Sequence, residues 1–368
     1  MMMHHLAVTG RRMRCVVLSL LCGALSSAVV ASAPIDVLQQ SAIPSPQALN
    51  AVLLGITRAG DRLVAVGERG VVLLSDDNGT SWRQGEVPVS TTLTAVQFVD
   101  DHHGWAVGHS GVVLHSEDGG EHWALQLDGK RAAQIERTAA QAESEEGSHR
   151  RDAAQLLVND GPDKPFLTLH FSDARNGIIA GAYGLALQTR DGGQSWVSVM
   201  GRLPNDWGAH IYGIAKKERE LYMVGEQGLF LRSLDGGATF EKISTPYEGS
   251  FFTLGLLPNG DLVLAGLRGT VLLSSDKGSN FQTLDNPIPV SLTATVTDGE
   301  RLLLVNQAGG LLEVSADGRL RPLINAKARL TDAVAAAGAQ LVGVGFSGPV
   351  MLTPVNSANF QASQASAE

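Results

Sequence analysis

A Gly-x-x-Gly pattern recurs along the chain, and its spacing limits the possible folds more than any other feature. The second glycines fall at Gly70, Gly111, Gly184, Gly228, Gly269, Gly309 and Gly348. The steps between them are 41, 73, 44, 41, 40 and 39 residues, so seven units fit, with one insertion after the second. Self-similarity at this period belongs to repeat architectures. In the second unit, TTLTAVQFVD, WAVGH, GVVLHS and WALQL are short apolar runs, rich in β-branched and aromatic residues and separated by turn residues. Such runs read as strands, and four strands per unit of this length predict a propeller blade. The fold class is therefore all-β, a seven-bladed β-propeller. The seventh unit supplies only three strands. Residues 35–43 read as a spare N-terminal strand that closes this last blade as its outer strand, which removes an open edge.

Five units carry a second pattern, Ser/Thr-x-Asp-x-Gly-x-x-Trp/Phe. It appears as SDDNGTSW, SEDGGEHW, TRDGGQSW, SLDGGATF and SSDKGSNF. A short carboxylate hydrogen-bonds nearby backbone N–H groups and folds its own turn. Asp77, Asp118, Asp191, Asp235 and Asp276 are expected to do this structurally. One carboxylate per blade on separate outer turns is poor geometry for a single active site, so no catalytic residue is assigned. No metal or cofactor is expected either. His102, His103, His109, His115 and His122 sit at different heights of one unit and read as surface residues rather than one metal site.

Strand order separates the two faces. The box joins the third and fourth strands of a unit, while the Gly-x-x-Gly turn joins the second and third. That turn therefore shares its face with the loops between blades. The residues inside the turns vary from blade to blade, which is where binding can differ from scaffold. The candidate binding residues are Glu68, Arg69, His109, Tyr183, Trp207, His210, Glu226, Gln227 and Arg268. Tyr247 and Phe251 are expected near the same face. The insertion, residues 128–165, turns abruptly rich in Ala, Gln, Glu and Arg. It predicts two helical segments split near Gly147-Ser148, with a thin apolar stripe at Ala132, Ile135, Ala139 and Ala142. So weak a stripe needs a surface to dock on.

The first 33 residues read as a secretory signal peptide. Arg11, Arg12 and Arg14 precede an apolar run over 15–30, and small residues follow at Ala31, Ser32 and Ala33. Both cysteines, Cys15 and Cys22, lie within it, so no disulfide is expected after cleavage. The remainder, 34–368, is expected to be one propeller domain with a flexible tail over 355–368. It would be periplasmic or secreted, monomeric, and not membrane-spanning after cleavage. The formal charge of −9, with no long basic run, argues against nucleic acid as a partner.

The box and the run DDHHGWAVGHSGVVLHSEDGGEHW, residues 100–123, resemble the photosystem II assembly/stability factor-like propellers of the BNR/Asp-box repeat superfamily. The resemblance implies an exported, non-enzymatic propeller that holds a membrane protein during assembly. The turns offer only Arg69 and Arg268, whereas photosynthetic members carry an arginine-rich patch. The similarity is therefore to the non-photosynthetic branch, and the implied partner is another membrane-protein complex of the cell envelope. Asp-box propellers also include glycosidases and glycan binders. For that alternative the best residues are Tyr212 with His210 and Glu226, or the pair Glu68 and Glu226, although the Phe/Tyr-Arg-Ile-Pro lead of sialidases is absent.

Overall fold

Seven antiparallel sheets are arranged so that the first strand of each packs on the first strands of its two neighbours, including the seventh on the first. This computed structural model describes residues 36–143, 148–315, 317–326 and 328–353. The expected signal segment, Ile35 and the tail lie outside the described residues. Blade 1 consists of β1 (Leu53–Ala59), β2 (Arg62–Gly67), β3 (Val72–Ser75) and β4 (Arg83–Gln84). Blades 2 to 7 occupy residues 93–127, 166–198, 211–242, 251–283, 292–325 and 330–352. Six sheets have four strands and the seventh has three, all in sequential order. The first strand of each blade lines the central channel.

Each first strand carries a bulge near its start. Pairing skips one residue in every blade: Leu54, Thr94, Leu167, Tyr212, Phe252, Thr293 and Thr331. An extra residue of this kind bends the strand and re-aims its side chain. In six blades the first glycine of the Gly-x-x-Gly turn makes room for the bulge; in blade 6 Asn306 takes that place. A Cβ on Gly67 would lie 2.1 Å from Val52 O, and one on Gly225 would lie 2.0 Å from His210 O. The residue before the second glycine is left-handed in five blades: Arg69, Ser110, Tyr183, Gln227 and Arg268 have φ between 53° and 57°. None is β-branched, in keeping with the steric cost of that region.

The box turns repeat the Ser/Thr, Asp and Gly bonds, to which Trp82 and Trp123 add an indole bond. In blade 1, Ser75 Oγ donates to Asp77 Oδ1 (2.9 Å) and accepts from Gly79 N (2.8 Å). Ser81 N donates to Asp77 Oδ1 (2.8 Å), and Trp82 Nε1 donates to Gly79 O (3.0 Å). The box of one blade also accepts a hydrogen bond from the blade before it. Arg62 Nη1 reaches Gly119 O (3.2 Å), and Gln126 Nε2 reaches Gly192 O (2.9 Å). Arg202 Nη1 reaches Gly237 O (2.6 Å), and Arg232 Nη1 reaches Lys277 O (2.8 Å). Arg62, Gln126 and Arg232 lie in different strands and Arg202 in the turn after blade 3, yet all four reach the same carbonyl-rich turn.

The N-terminal segment departs from the sequence expectation. Within the described residues it is not a strand and does not pair with the last sheet. It turns at 37–39, runs on without regular structure and forms one helical turn, Pro46–Asn50. Pro44 and Pro46 lack the N–H a ladder needs, and Ser45 caps the turn by accepting from Gln47 N (3.2 Å). The segment straps three blades instead. Ala42 N donates to Val87 O (3.0 Å), Ser90 N to Val37 O (2.9 Å) and Gly348 N to Ala51 O (3.1 Å).

Without a shared strand, the ring closes through side chains. Leu53, Ile56, Leu63 and Leu73 of blade 1 pack with Val342 and Val344 of blade 7 in one buried cluster. Thr331 Oγ1 donates to Leu53 O (2.7 Å), and Asp332 Oδ2 accepts from Ile56 N (3.0 Å). Thr331→Val keeps the volume and leaves the Leu53 carbonyl unpaired. Urea unfolding is expected to show a loss of about 1–3 kcal/mol, and Thr331→Ser is expected to retain most of the stability. An unchanged midpoint for Thr331→Val would remove this hydrogen bond from the closure.

Candidate functional site

The seven skipped residues share one fate: they line the channel. Leu54, Leu167, Tyr212 and Phe252 form an apolar and aromatic arc, and Thr94, Thr293 and Thr331 a hydroxylated one. The cavity holds about 280 Å³. Thr94 Oγ1 donates to Phe166 O (2.7 Å) and so ties blade 2 to blade 3. Asp332 is the one acid in the lining. Its carboxyl is pushed up to about 7, because burial outweighs the two backbone N–H groups, of Ile56 and Ala333, that favour the anion.

Sequence reasoning did not single these positions out as a set. The usable signal was a fixed spacing, since each lies 13 or 14 residues before the first glycine of its turn, or before Asn306 in blade 6.

Four of the candidate binding residues gather at blades 3 and 4. The Tyr183 ring lies 5.1 Å from the His210 ring, which lies 6.1 Å from Tyr212, itself 5.5 Å from Phe252. An aromatic path thus runs from the Gly-x-x-Gly face to the channel mouth. His210 Nδ1 stands 2.9 Å from Glu226 Oε2, which also accepts from His210 N (3.1 Å). Trp207 is 94% exposed and Tyr183 52%. Both border a groove of about 570 Å³ whose other wall is Glu143, His149, Arg150 and Ala153 of the insertion. Lys164 Nζ sits 5.0 Å from the centre of the Tyr183 ring, a cation–π arrangement. Tyr247 and Phe251 are different: Phe251 is fully buried, and Tyr247 packs against the same cluster.

The other candidates stay apart around the ring. Arg69 belongs to blade 1, His109 to blade 2, Gln227 to blade 4 and Arg268 to blade 5, all exposed. Glu68 folds back to accept from Val52 N (3.0 Å), as Glu226 does from His210 N, so both carboxylates serve equivalent backbone sites three blades apart. The box aspartates are each engaged by their own turns. The Ser195 hydroxyl and N–H pull the Asp191 carboxyl down to about 2, and Asn280 does the same for Asp276. Among the histidines, His115 stacks on buried Trp105 (4.7 Å), which stacks on Phe171 of blade 3 (3.8 Å). Among the described residues no three His, Cys, Asp or Glu side chains are grouped as a metal site.

The insertion forms α1 (Gly129–Gln141) and α2 (Ser148–Asp160), the two helical segments expected between blades 2 and 3. The buried face differs from the sequence stripe. It comprises Ala132, Ala133, Glu136 and Ala140, while Ala142 is exposed. Glu136 is 1% exposed and takes a bidentate grip from Arg150, at 2.8 and 2.9 Å. Ser198 of blade 3 also contacts it. This paired charge pins the helices beside the groove, a role that glutamate rarely signals in sequence.

The fold and the box turns define a class: an Asp-box β-propeller. The family model described as photosynthesis system II assembly factor YCF48 matches residues 74–148 and 152–249. Over that stretch, a little under half of the chain, the sequence is similar to these photosystem II assembly factor-like propellers. A photosystem II assembly lipoprotein Ycf48 from Synechococcus sp. (strain CC9902) is 25% identical over 118 residues, 32% of this chain and 35% of that protein. The match thus spans about a third of the relative's length. Among solved structures, YCF48 bound to D1 peptide superposes with a TM-score of 0.60 at 16% identity, covering 86% of this chain and 97% of that one. YCF48 from Cyanidioschyzon merolae gives 0.58 at 16%, covering 84% and 97%. The WD40 repeats of RRP9 give 0.59 at 10%, covering 86% and 97%, so these superpositions speak to fold alone.

A raised carboxyl pKa stabilises the fold fully below the unfolded value near 4 and loses that contribution as pH rises through about 7. Asp332→Asn removes the titration. The fall in Tm between pH 5 and pH 8 is expected to be shallower in Asp332→Asn than in the unaltered protein. Parallel curves would show that Asp332 does not titrate there.

Proposed function

We propose that this propeller is a non-enzymatic assembly factor that holds an extended segment of a membrane protein on its Gly-x-x-Gly face. The observation that carries the reading is the aromatic path from Trp207 and Tyr183 through His210 to Tyr212 and Phe252. Exposed aromatics beside a groove are enriched at protein contacts, because they bury much area at little entropic cost. Main-chain carbonyls around the channel mouth would accept hydrogen bonds from an extended chain. A relative of the same fold is known bound to a D1 peptide, which supports a peptide as the occupant. The N-terminal 33 residues act as an export signal, and the mature protein works in the periplasm or outside the cell. Its partner is a membrane complex of the cell envelope outside photosynthesis, since Arg69 and Arg268 alone do not make an arginine patch. Among the described residues no helix is long and apolar enough to cross a membrane. Glycoside hydrolysis finds no support in the Glu68 and Glu226 pair, whose carboxylates are bonded to backbone in separate blades.

In cross-linked cells, the tagged protein is expected to co-purify with one membrane-embedded complex. Trp207→Ala is expected to weaken that capture about tenfold, as loss of an aromatic anchor does, and deletion of residues 130–164 should abolish it. The Tm of Trp207→Ala should not move, because the ring is exposed. Equal capture by all three proteins would exclude this face. Hydrolysis of an aryl sialoside or β-glucoside by the pure protein would replace the reading with an enzyme.

A further inference from the structure

The opposite face carries a second feature, independent of the peptide reading. At the junctions between blades, an arginine that donates to the next box turn is accompanied by a carboxylate. Arg62 has Asp76 (2.6 Å) and Glu121 (3.0 Å), and Arg232 has Glu241 (2.7 Å). The junction of blades 3 and 4 breaks this rule. Arg202 donates to Gly237 O (2.6 Å) and Gln188 Oε1 (3.1 Å), both neutral acceptors. Lys216 and His170 line the same cleft, and Lys216 Nζ donates to Ser172 Oγ (2.7 Å). Neither Arg202 nor Lys216 is in an ion pair within 4.0 Å among the described residues. Among the described residues no acid lines the cleft.

The nearest carboxylates are already committed. Asp173 accepts from Arg175 N (2.8 Å) and Asn176 N (2.9 Å). Asp235 accepts from Ser233 Oγ (2.7 Å), Ala238 N (3.0 Å) and Thr239 N (3.0 Å). The half-buried positive charge has visible consequences. Burial and Lys216 press His170 down to about 4, and burial together with Arg190 lowers Arg202 against the opposing pull of Asp235, while Lys216 in turn helps lower Asp173. The cavity measures about 40 Å³, room for a few waters or one small anion, since a water needs about 10–15 Å³.

We propose that the cleft between blades 3 and 4, on the box face, is a binding site for one small oxyanion. The anion is held by Arg202 and Lys216 with His170 beside them. It takes the place that Asp76 and Glu121 occupy at the junction of blades 1 and 2, and Glu241 at that of blades 4 and 5. Charge-assisted hydrogen bonds from a guanidinium and an ammonium suit a tetrahedral or carboxylate oxyanion and not chloride.

The test follows the His170 ring by NMR, assigned by its absence in His170→Gln, during titrations with sodium sulfate, sodium acetate and, at matched ionic strength, sodium chloride. Sulfate or acetate is expected to shift the ring saturably and to raise its titration midpoint by about one unit. Chloride should do neither. Strength of response to sulfate over acetate distinguishes a free inorganic anion from a carboxylate as the natural occupant. Lys216→Met should weaken the response about tenfold, and Arg202→Gln at least as much. If Arg202→Gln fails to fold, Lys216→Met decides alone. A linear, chloride-like response, or one retained in Lys216→Met, would overturn the site.

Discussion

Most of the architecture depends on one close approach, between the end of the second strand and the carbonyl that precedes the first. Only glycine fits at Gly67, Gly108, Gly181, Gly225, Gly266 and Gly345, where a Cβ would stand 2.0 to 2.2 Å from that oxygen. The approach leaves one residue of each first strand unpaired, and that residue faces the channel. A single backbone requirement, repeated around the ring, therefore fixes the blade, the turn and the lining of the mouth. It also separates scaffold from variation. Six blades keep the glycine and blade 6 carries Asn306 there with the same bulge, while the bulged residues range from Leu54 to Thr94 to Tyr212.

The blades are held to each other by a different device. Side-chain donors reach the box turn of the following blade, and the bulged Thr94 and Thr331 reach across at the mouth. Two kinds of bond, one at each face, keep neighbouring sheets from splaying. At the join of the last blade to the first, Thr331 and Asp332 do this work in place of a shared strand. The N-terminal strap adds bonds to blades 1, 2 and 7 on the same face. The loops of blades 3 and 4 are left open, and there the insertion, Trp207 and the aromatic path meet.

The fold was legible because its signals are backbone demands. Glycines at Gly-x-x-Gly and the Ser-x-Asp-x-Gly box leave fixed residues at fixed spacing, so seven blades could be counted from the sequence. The strand proposed for residues 35–43 failed because Pro44 and Pro46 outweigh the apolar residues before them. The site was only partly legible. Tyr183, Trp207, His210 and Glu226 were recognised by their places in turns and loops, and they do come together. Glu136 was not, because a glutamate in an Ala-rich helix reads as solvated until its arginine partner is located. The bulged residues were invisible as a set because no residue type marks them.

The most direct test of the peptide-holding face is site-specific photo-crosslinking in intact cells. A photoreactive amino acid would be placed at position 207, beside the groove, or at position 236, on the opposite face. The account predicts adducts with a membrane-protein polypeptide from position 207 and none from position 236. Adducts from position 236 alone, or from neither position, would contradict it.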